Sequence, residues 1–452
     1  MEEMITISRT EYEQLKSQAV ELAELKSLVV RLMEEIALLK NGHNSKTSST
    51  PPSQDIGRSN TVNLRVKSGK SSGGQLGHKG HTLSMREQVD EVIEHISCYC
   101  QGCGQSLQDV SGVIESRRQE VEIPVVEPRY IEHRRFVKTC PCCGLENRGT
   151  FPAHIKAPIQ YGKSVKSLIA YLSTYQYISY PRIAQFFSDI FQLPLSEGTV
   201  DNALEAMSQK AEPAYKEIQA RIAKSEVVGG DETGCHVNGK KHWFHVWQTQ
   251  LLTFIVAFKS RGHQVIEEYF PGSFLYYVSD CWPSQLKTKA KGHQLCLVHL
   301  LRELLNFEKA LNNEWSIQMK ELFYRALKLK KNLIGNDYKN PPPDVFTLNE
   351  ELDELLKVDT TSFHPKVQAL VKRLIKHRNS ILLFLTHPDI PGDNNASERS
   401  IRNVKVKIKV SGQFRNKEGK GADRFARLRS VIDTSIKNGQ DVFSAFRAIA
   451  AC

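Results

Sequence analysis

Gly392-Asp393-Asn394-Asn395-Ala396-Ser397-Glu398-Arg399-Ser400-Ile401-Arg402 sets a carboxylate beside two arginines, directly ahead of a strongly basic tail. Those residue types fit metal-ion chemistry on a polyanion, because hard divalent cations take carboxylate oxygens and Lys and Arg neutralise phosphates. Two further carboxylates stand upstream in settings that suit the same task. Asp231 follows Val227-Val228-Gly229-Gly230, and Asp280 follows Phe274-Leu275-Tyr276-Tyr277-Val278-Ser279. Each of those short apolar, β-branched or aromatic runs reads as a buried strand, and an α/β sheet presents ligands at the carboxyl ends of its strands. A lone Asp at a strand end is ordinarily structural, so the weight rests on the three together. Glu232 should point to the opposite face of its strand from Asp231, and Asp393 should cap the helix that carries Glu398.

Cysteines form a second chemical set. Cys100-Gln101-Gly102-Cys103-Gly104 and Cys140-Pro141-Cys142-Cys143-Gly144 are knuckle-like turns in which Gly permits the tight backbone that aims two thiolates at one ion. Cys100, Cys103, Cys140 and Cys143 together would close a tetrahedral structural Zn²⁺ site, with Cys98 and Cys142, out of the x2 register, as spares that could substitute in a distorted site. Alternating stretches between the turns, Gln119–Ile123 and Tyr130–Val137, predict a β-ribbon stapled at its base. Cys296 and His299, with His293 and Arg302, make a further cluster. The sequence supplies no further ligands for a second zinc there, so the cluster is expected to hydrogen-bond or position DNA near Asp280.

Lysines alternate with aliphatics over Val404–Val410, which on a strand would set Lys405, Lys407 and Lys409 on one face. With Arg399, Arg402 and Arg415 they are the expected phosphate contacts, and Lys417, Lys420 and Arg424 lie close in sequence. His78 and His81 are read as solvated.

The elements that must position these groups follow from periodicity. Leu15, Leu22, Val29 and Ile36 on one seam, with Leu25, Leu32 and Leu39 on the other, keep a heptad broken only by Gln18. That predicts a coiled coil over 1–40 and a parallel dimer. A basic linker rich in Ser, Gly, Pro and Lys follows over 41–85, then the zinc-binding β-ribbon module over 86–160. Helices at Lys163–Tyr175, at Pro181–Ile190 and after Ser196 suit a helix-turn-helix DNA-binding domain over 161–222. Strands are expected at Glu226–Val237, Lys241–Gln248, Leu252–Phe258, Phe274–Ser279 and Gln294–Val298, with Asn238-Gly239 as a hairpin turn. They make the first part of an RNase H-like α/β catalytic domain over 223–300. A helical insertion broken at Pro341–Pro343 occupies 301–390, and the rest of the domain with basic C-terminal helices occupies 391–452. The fold class is therefore multi-domain α+β.

Sixty-one Lys and Arg against fifty Asp and Glu leave a formal charge of +11 over 452 residues, a balance that suits a nucleic-acid partner. The longest apolar run, Leu251–Phe258, is far shorter than the ~20 residues of a membrane span, and Met-Glu-Glu-Met is not the start of a signal peptide. A soluble, cytoplasmic chain is expected.

Taken together, several motifs resemble the transposases of the insertion sequence 66 family, within the Asp-Asp-Glu class. They are Asn44-Ser45-Lys46 with Pro51-Pro52-Ser53, Gly73–Leu83, the paired cysteine turns, Tyr161–Ser164, Asp231-Glu232-Thr233, Cys296–His299, Asp393–Arg402 and Ser411–Arg415. The resemblance implies Asp231, Asp280 and Glu398 as the catalytic triad, although their spacing of 49 and 118 positions does not by itself establish it. It implies Asp231 bridging two Mg²⁺ (or Mn²⁺) ions, Asp280 on one and Glu398 on the other. The partners it implies are the terminal inverted repeats of an element, target DNA, further copies of the chain and accessory proteins of the same element, and the place of action is the nucleoid. Two alternatives share these residues: a zinc and helix-turn-helix DNA-binding protein without catalysis, and an RNase H-like nuclease.

Overall fold

The computed structural model describes residues 7–42, 77, 83–415 and 420–452. The linker motifs, His78, His81 and Lys417 lie outside the described residues. Two compact units emerge, residues 58–128 and residues 1–57 with 129–452. No helix among the described residues is long and apolar enough to cross a membrane.

Among the described residues of the smaller unit there is almost no regular structure beyond an antiparallel bridge between Tyr99 and Ser106. The ribbon expected at Gln119–Ile123 does not form. Val121 and Ile123 stay 72% and 87% exposed, and an alternating segment becomes a strand only where a partner takes its apolar face. Of Tyr130–Val137 only the last residue is in a strand: β1 (Val137–Thr139) pairs antiparallel with β2 (Glu146–Arg148) across the second cysteine turn.

In the larger unit α1 (Arg9–Gly42) leaves Leu15, Leu22, Leu25, Val29, Leu32 and Ile36 about half exposed. Towards its C-terminal end Leu38 is buried in a helical core, and Glu35 lies 3.7 Å from Lys366. Three helices come next: α2 (Lys163–Ala170), continued by a π-turn over Tyr171–Tyr175, α3 (Tyr180–Phe191) and α4 (Glu197–Ala223). Ser196 caps α4 by accepting from the Thr199 N–H at 3.0 Å.

The central sheet has the order β5-β4-β3-β6-β7. β3 (Val227–Val237), β4 (Lys240–Gln248) and β5 (Thr253–Phe258) run antiparallel, while β6 (Phe274–Ser279) is parallel to β3 and β7 (Ala290–Leu295) is parallel to β6. Asn238 and Gly239 have φ of 47° and 78°, the two positive values that a twisted two-residue hairpin needs. β7 begins four residues before the expected strand, and Leu297 and Val298 already belong to a helix. Short helices α5 (Gln264–Tyr269) and α6 (Pro283–Leu286) join the strands.

Each sheet face has its own core. Val228, Trp247, Phe254 and Tyr277 pack with Ile218 and Ile222 of α4. On the other side Phe244, Val246 and Ile255 meet Ile401 and Val404 of α11 (Asn395–Ser411) and Phe425 of α12 (Gly421–Lys437). α13 (Val442–Ala451) and α12 close a further core with α2, α3 and α4 through Phe446, Ile432, Phe187 and Met207. Between β7 and α11 stand α7 (Leu297–Leu311), α8 (Glu314–Asn332), α9 (Pro343–Leu356) and α10 (Pro365–Lys376), around Trp315, Phe323, Leu352 and Leu370.

Residues 404–410, expected as a strand, are the middle of α11. Two periodicities coincide there. Val404, Val406, Ile408 and Val410 alternate, but Ile401, Val404 and Ile408 also recur at helical spacing, and that set meets the sheet. Ile401 and Val404 are 1% and 0% exposed, and each such burial contributes about 1.5–3 kcal/mol.

Candidate active site

β3 and β6 are paired in parallel with Gly229 opposite Val278. Two residues further along each strand, that register sets Asp231 beside Asp280. Alternation on β3 separates the faces. A Cβ on Gly229 would lie 2.6 Å from Ser397 Oγ, on α11, whereas one on Gly230 would run into Tyr277, whose Cζ would be 2.7 Å away. Asp231 therefore shares the α11 side and Glu232 the other. The Gly-Gly pair is the condition for close packing on both sides of the strand.

The first turn of α11 is pinned to this strand. Asn394 Nδ2 donates to Gly230 O at 2.7 Å, and Ser397 Oγ donates to Asn394 Oδ1 at 2.6 Å. The Asn394 backbone N–H donates to Cys296 Sγ at 3.2 Å, and Leu297 N–H to Gly392 O at 3.0 Å. Glu398 lies one turn on. Its Oε1 has no hydrogen-bond partner and is shielded from solvent, with His299 Nε2 at 3.7 Å and Arg302 Nη1 at 3.9 Å. Asp393 accepts from Asn395 N–H at 2.9 Å, the local capping expected of it.

Burial pushes the Asp231 carboxyl well above the usual carboxylate range, and the negative charges of Glu232 and Asp280 add to the rise; the Glu232 N–H and Lys405 oppose it. Burial also raises Glu232, with Asp280 reinforcing it and Arg261 and Gln285 opposing. Asp231 and Asp280 thus stand close with little positive charge between them, while Glu232, on the other face of β3, has Arg261 as its counter-ion. Asp280 Oδ1 accepts from the Trp282 N–H at 2.9 Å. Glu232 Oε1 accepts from Arg261 Nε at 2.8 Å, Gln285 donates to Glu232 Oε2, and Tyr277 Oη donates to Gln285 Oε1 at 2.6 Å. Arg261 is itself stacked between Trp282, 3.4 Å from the ring centre, and Trp243, at 4.8 Å.

The Transposase IS66 family model matches residues 158–422. The chain belongs to that family. The zinc-finger binding domain of transposase IS66 matches residues 97–144, which span both cysteine turns. A curated relative, the uncharacterized protein y4jO of Sinorhizobium fredii, is 31% identical over 100 residues, covering 22% of this chain. The chain spans only 29% of that relative's length.

In this IS66-family chain the two cysteine turns have the same geometry. Cys100 N–H donates to Gln105 O at 2.8 Å and Gly104 N–H to Cys100 O at 2.9 Å; Cys140 N–H donates to Leu145 O at 2.9 Å and Gly144 N–H to Cys140 O at 2.9 Å. Gly104 and Gly144 have φ of 77° and 73°, a conformation that favours glycine. Within each turn, backbone N–H groups aimed at the first sulfur hold the Cys100 and Cys140 thiols below their usual range, with the Cys103 or Cys143 N–H the largest cause. Such a turn is ready for a cation.

Among the expected phosphate contacts, Arg399, Arg402, Lys405, Lys409 and Arg415 are exposed. Lys407 is not: it is 7% exposed and lies within 3.4 Å of Ser173 O, so it does not belong with them. Arg424 is buried and pairs with Asp201 at 2.9 Å. Glu398, Arg402, Lys405 and Lys409 recur at helical spacing and share one face of α11. Sequence reasoning missed Asn394, Ser397 and the Arg261–Trp282 stack. The Gly-Gly pair before Asp231 was the one available signal that another element approaches there.

Proposed function

We propose that the chain is a metal-dependent DNA transposase that binds the inverted-repeat ends of its element, cleaves them and joins the freed 3′ ends to target DNA. The observation that carries this reading is the register of β3 and β6 together with the Asn394–Gly230 bond, which gathers Asp231, Asp280 and the first turn of α11. The strand order, antiparallel on one side and parallel on the other, supports an RNase H-like domain. The three-helix run ending in α4 supports a helix-turn-helix.

Divalent ions fit the donor set: Asp231 within β3 rather than at the strand end expected of it, Asp280 just past the end of β6, and a shielded Glu398 oxygen without a partner. Asp231, Asp280 and Glu398 would hold two Mg²⁺ or Mn²⁺ ions, which activate an attacking oxygen and stabilise the leaving one. The chain's own groups supply the rest. Arg402, Lys405 and Lys409 run from Glu398 along α11 as a cationic face for the DNA backbone. Trp282 N–H and Asn394 hold the carboxylate-bearing segments in place. Cys100, Cys103, Cys140 and Cys143 are the proposed ligands of a structural Zn²⁺, supported by the family match and the identical turns. The exposed heptad of α1 supports pairing with a second copy.

Asp231→Asn, Asp280→Asn and Glu398→Gln keep size and hydrogen-bonding capacity. Each is expected to retain binding to terminal-repeat DNA in a gel-shift assay and to lower Mg²⁺-dependent cleavage by about 10²–10³-fold or more. Cleavage at an unchanged rate in any of the three refutes that residue's role. Cleavage without strand joining on paired ends would favour the nuclease reading.

A further inference from the structure

Cys296 and His299 lie at the start of α7, and the fold brings Glu398 to them. A thiol sulfur, an imidazole nitrogen and a carboxylate oxygen gather within 4.8 Å of one another. Cys296 is the N-cap residue of α7 and His299 stands in its first turn, so helical spacing turns both toward one point. The Asn394–Gly230 and Asn394–Cys296 bonds bring the first turn of α11 there from the other side. We propose that Cys296, His299 and Glu398 form a zinc site, separate from the cysteine turns, whose ion competes with Mg²⁺ for Glu398.

Three features support it. First, the donors are of mixed softness: sulfur and imidazole suit Zn²⁺, whereas Mg²⁺ takes oxygen. Second, the spacing is close to what coordination needs. Bonds of about 2.0–2.3 Å in a tetrahedral shell put neighbouring donors roughly 3.5 Å apart, and His299 Nε2 is 3.7 Å from Glu398 Oε1, too far for a hydrogen bond between them. Third, a polar atom is left over: Glu398 Oε1 is shielded from solvent and has no hydrogen-bond partner, a costly state that a cation on the cluster relieves.

The environment sets the terms of binding. The Asn394 N–H already points at Cys296 Sγ and would stabilise the thiolate. On binding, the Cys296 proton leaves to solvent and the sulfur's lone pair goes to the ion. Arg302, 3.9 Å from Glu398 Oε1, is the cation that zinc displaces from that carboxylate. Three protein donors leave one position for water, an open site rather than a closed structural one.

The test uses the full chain equilibrated with buffered free Zn²⁺ and measures zinc per chain by elemental analysis. The unmodified protein should hold one more zinc than either Cys296→Ser or His299→Gln, and the cobalt-substituted protein should lose thiolate-to-metal absorption in Cys296→Ser. Cys296 is fully buried and its replacement can unsettle the fold. His299→Gln is therefore the deciding variant: with an unchanged melting temperature and an unchanged zinc count, it overturns the site. The competitive consequence rests on the catalytic role proposed for Glu398. Added Zn²⁺ should slow Mg²⁺-dependent cleavage in the unmodified chain, and higher zinc should be needed in His299→Gln. A zinc count that falls as expected, with cleavage indifferent to zinc, upholds the site and removes Glu398 from catalysis.

Discussion

Gly229→Ala tests how tightly the third carboxylate is tied to the sheet. The added Cβ would stand 2.6 Å from Ser397 Oγ and 2.6 Å from Gln248 Nε2, where ordinary contact begins at 3.4 Å, a shortfall of about 0.8 Å. The Gln248 amide is the end of a long side chain and can swing. Ser397 Oγ is one bond from a helical backbone, buried, and hydrogen-bonded to Asn394, so relief there means moving the first turn of α11. Overpacking of this kind costs about 1–3 kcal/mol, which the sheet can absorb. A misplacement approaching 1 Å at a reacting centre costs about 10²-fold in rate. Gly229→Ala should therefore melt a few degrees lower, keep its DNA binding, and cleave terminal-repeat DNA about 100-fold more slowly. Adding Ser397→Ala removes the oxygen in the way and should return part of the rate. Measured by single-turnover cleavage, a Gly229→Ala rate within about threefold of the unmodified protein, well short of the ~10²-fold expected for such a misplacement, refutes the idea that this packing sets the position of Glu398.

Lys407 makes a second prediction. Burial lowers its pKa from 10.5 to about 8, so the folded state holds its proton less firmly than the unfolded chain does. The penalty is full below pH 8 and fades as pH rises towards 10.5. Lys407→Met should accordingly stabilise the protein at pH 7 by up to roughly 3 kcal/mol and lose that advantage by pH 10.5; destabilisation at pH 7 in thermal melts contradicts it. Cys100→Ser should release one zinc per chain while residues 226–430 stay folded, which elemental analysis and limited proteolysis will check. Deleting residues 1–34, which spares Glu35 and Leu38, should turn a dimer into a monomer in light scattering without altering zinc content. An unchanged mass locates dimerisation elsewhere.

β3, β4 and β6 are legible to within a residue or so, because β-branched and aromatic runs bounded by turn residues leave few alternatives. Ser196 as the α4 cap is equally local. What fails is wherever long-range packing decides. β7 is set by its pairing with β6, and Leu297 and Val298, which looked like the end of a strand, open α7, whose buried face is Leu297, Leu300, Leu301 and Leu304. Lys407 looked like its two neighbouring lysines until α11 proved helical and turned it inward. Cys296 and His299 are readable as a pair, but their third companion lies 99 positions beyond His299, and no pattern in the sequence announces that meeting.

The bond from Asn394 to Gly230 spans 164 residues, with the whole α7–α10 subdomain between. Contacts of such separation form late, since a long loop must close before they reward the chain. The strands bearing Asp231 and Asp280 leave the ribosome well before α11, so a nascent or truncated chain can have its sheet and two acids yet lack the group that completes them. On the catalytic role proposed for Glu398, competence for chemistry waits on the synthesis of α11. A chain ending before Gly392 should be inert on DNA however well its sheet is formed.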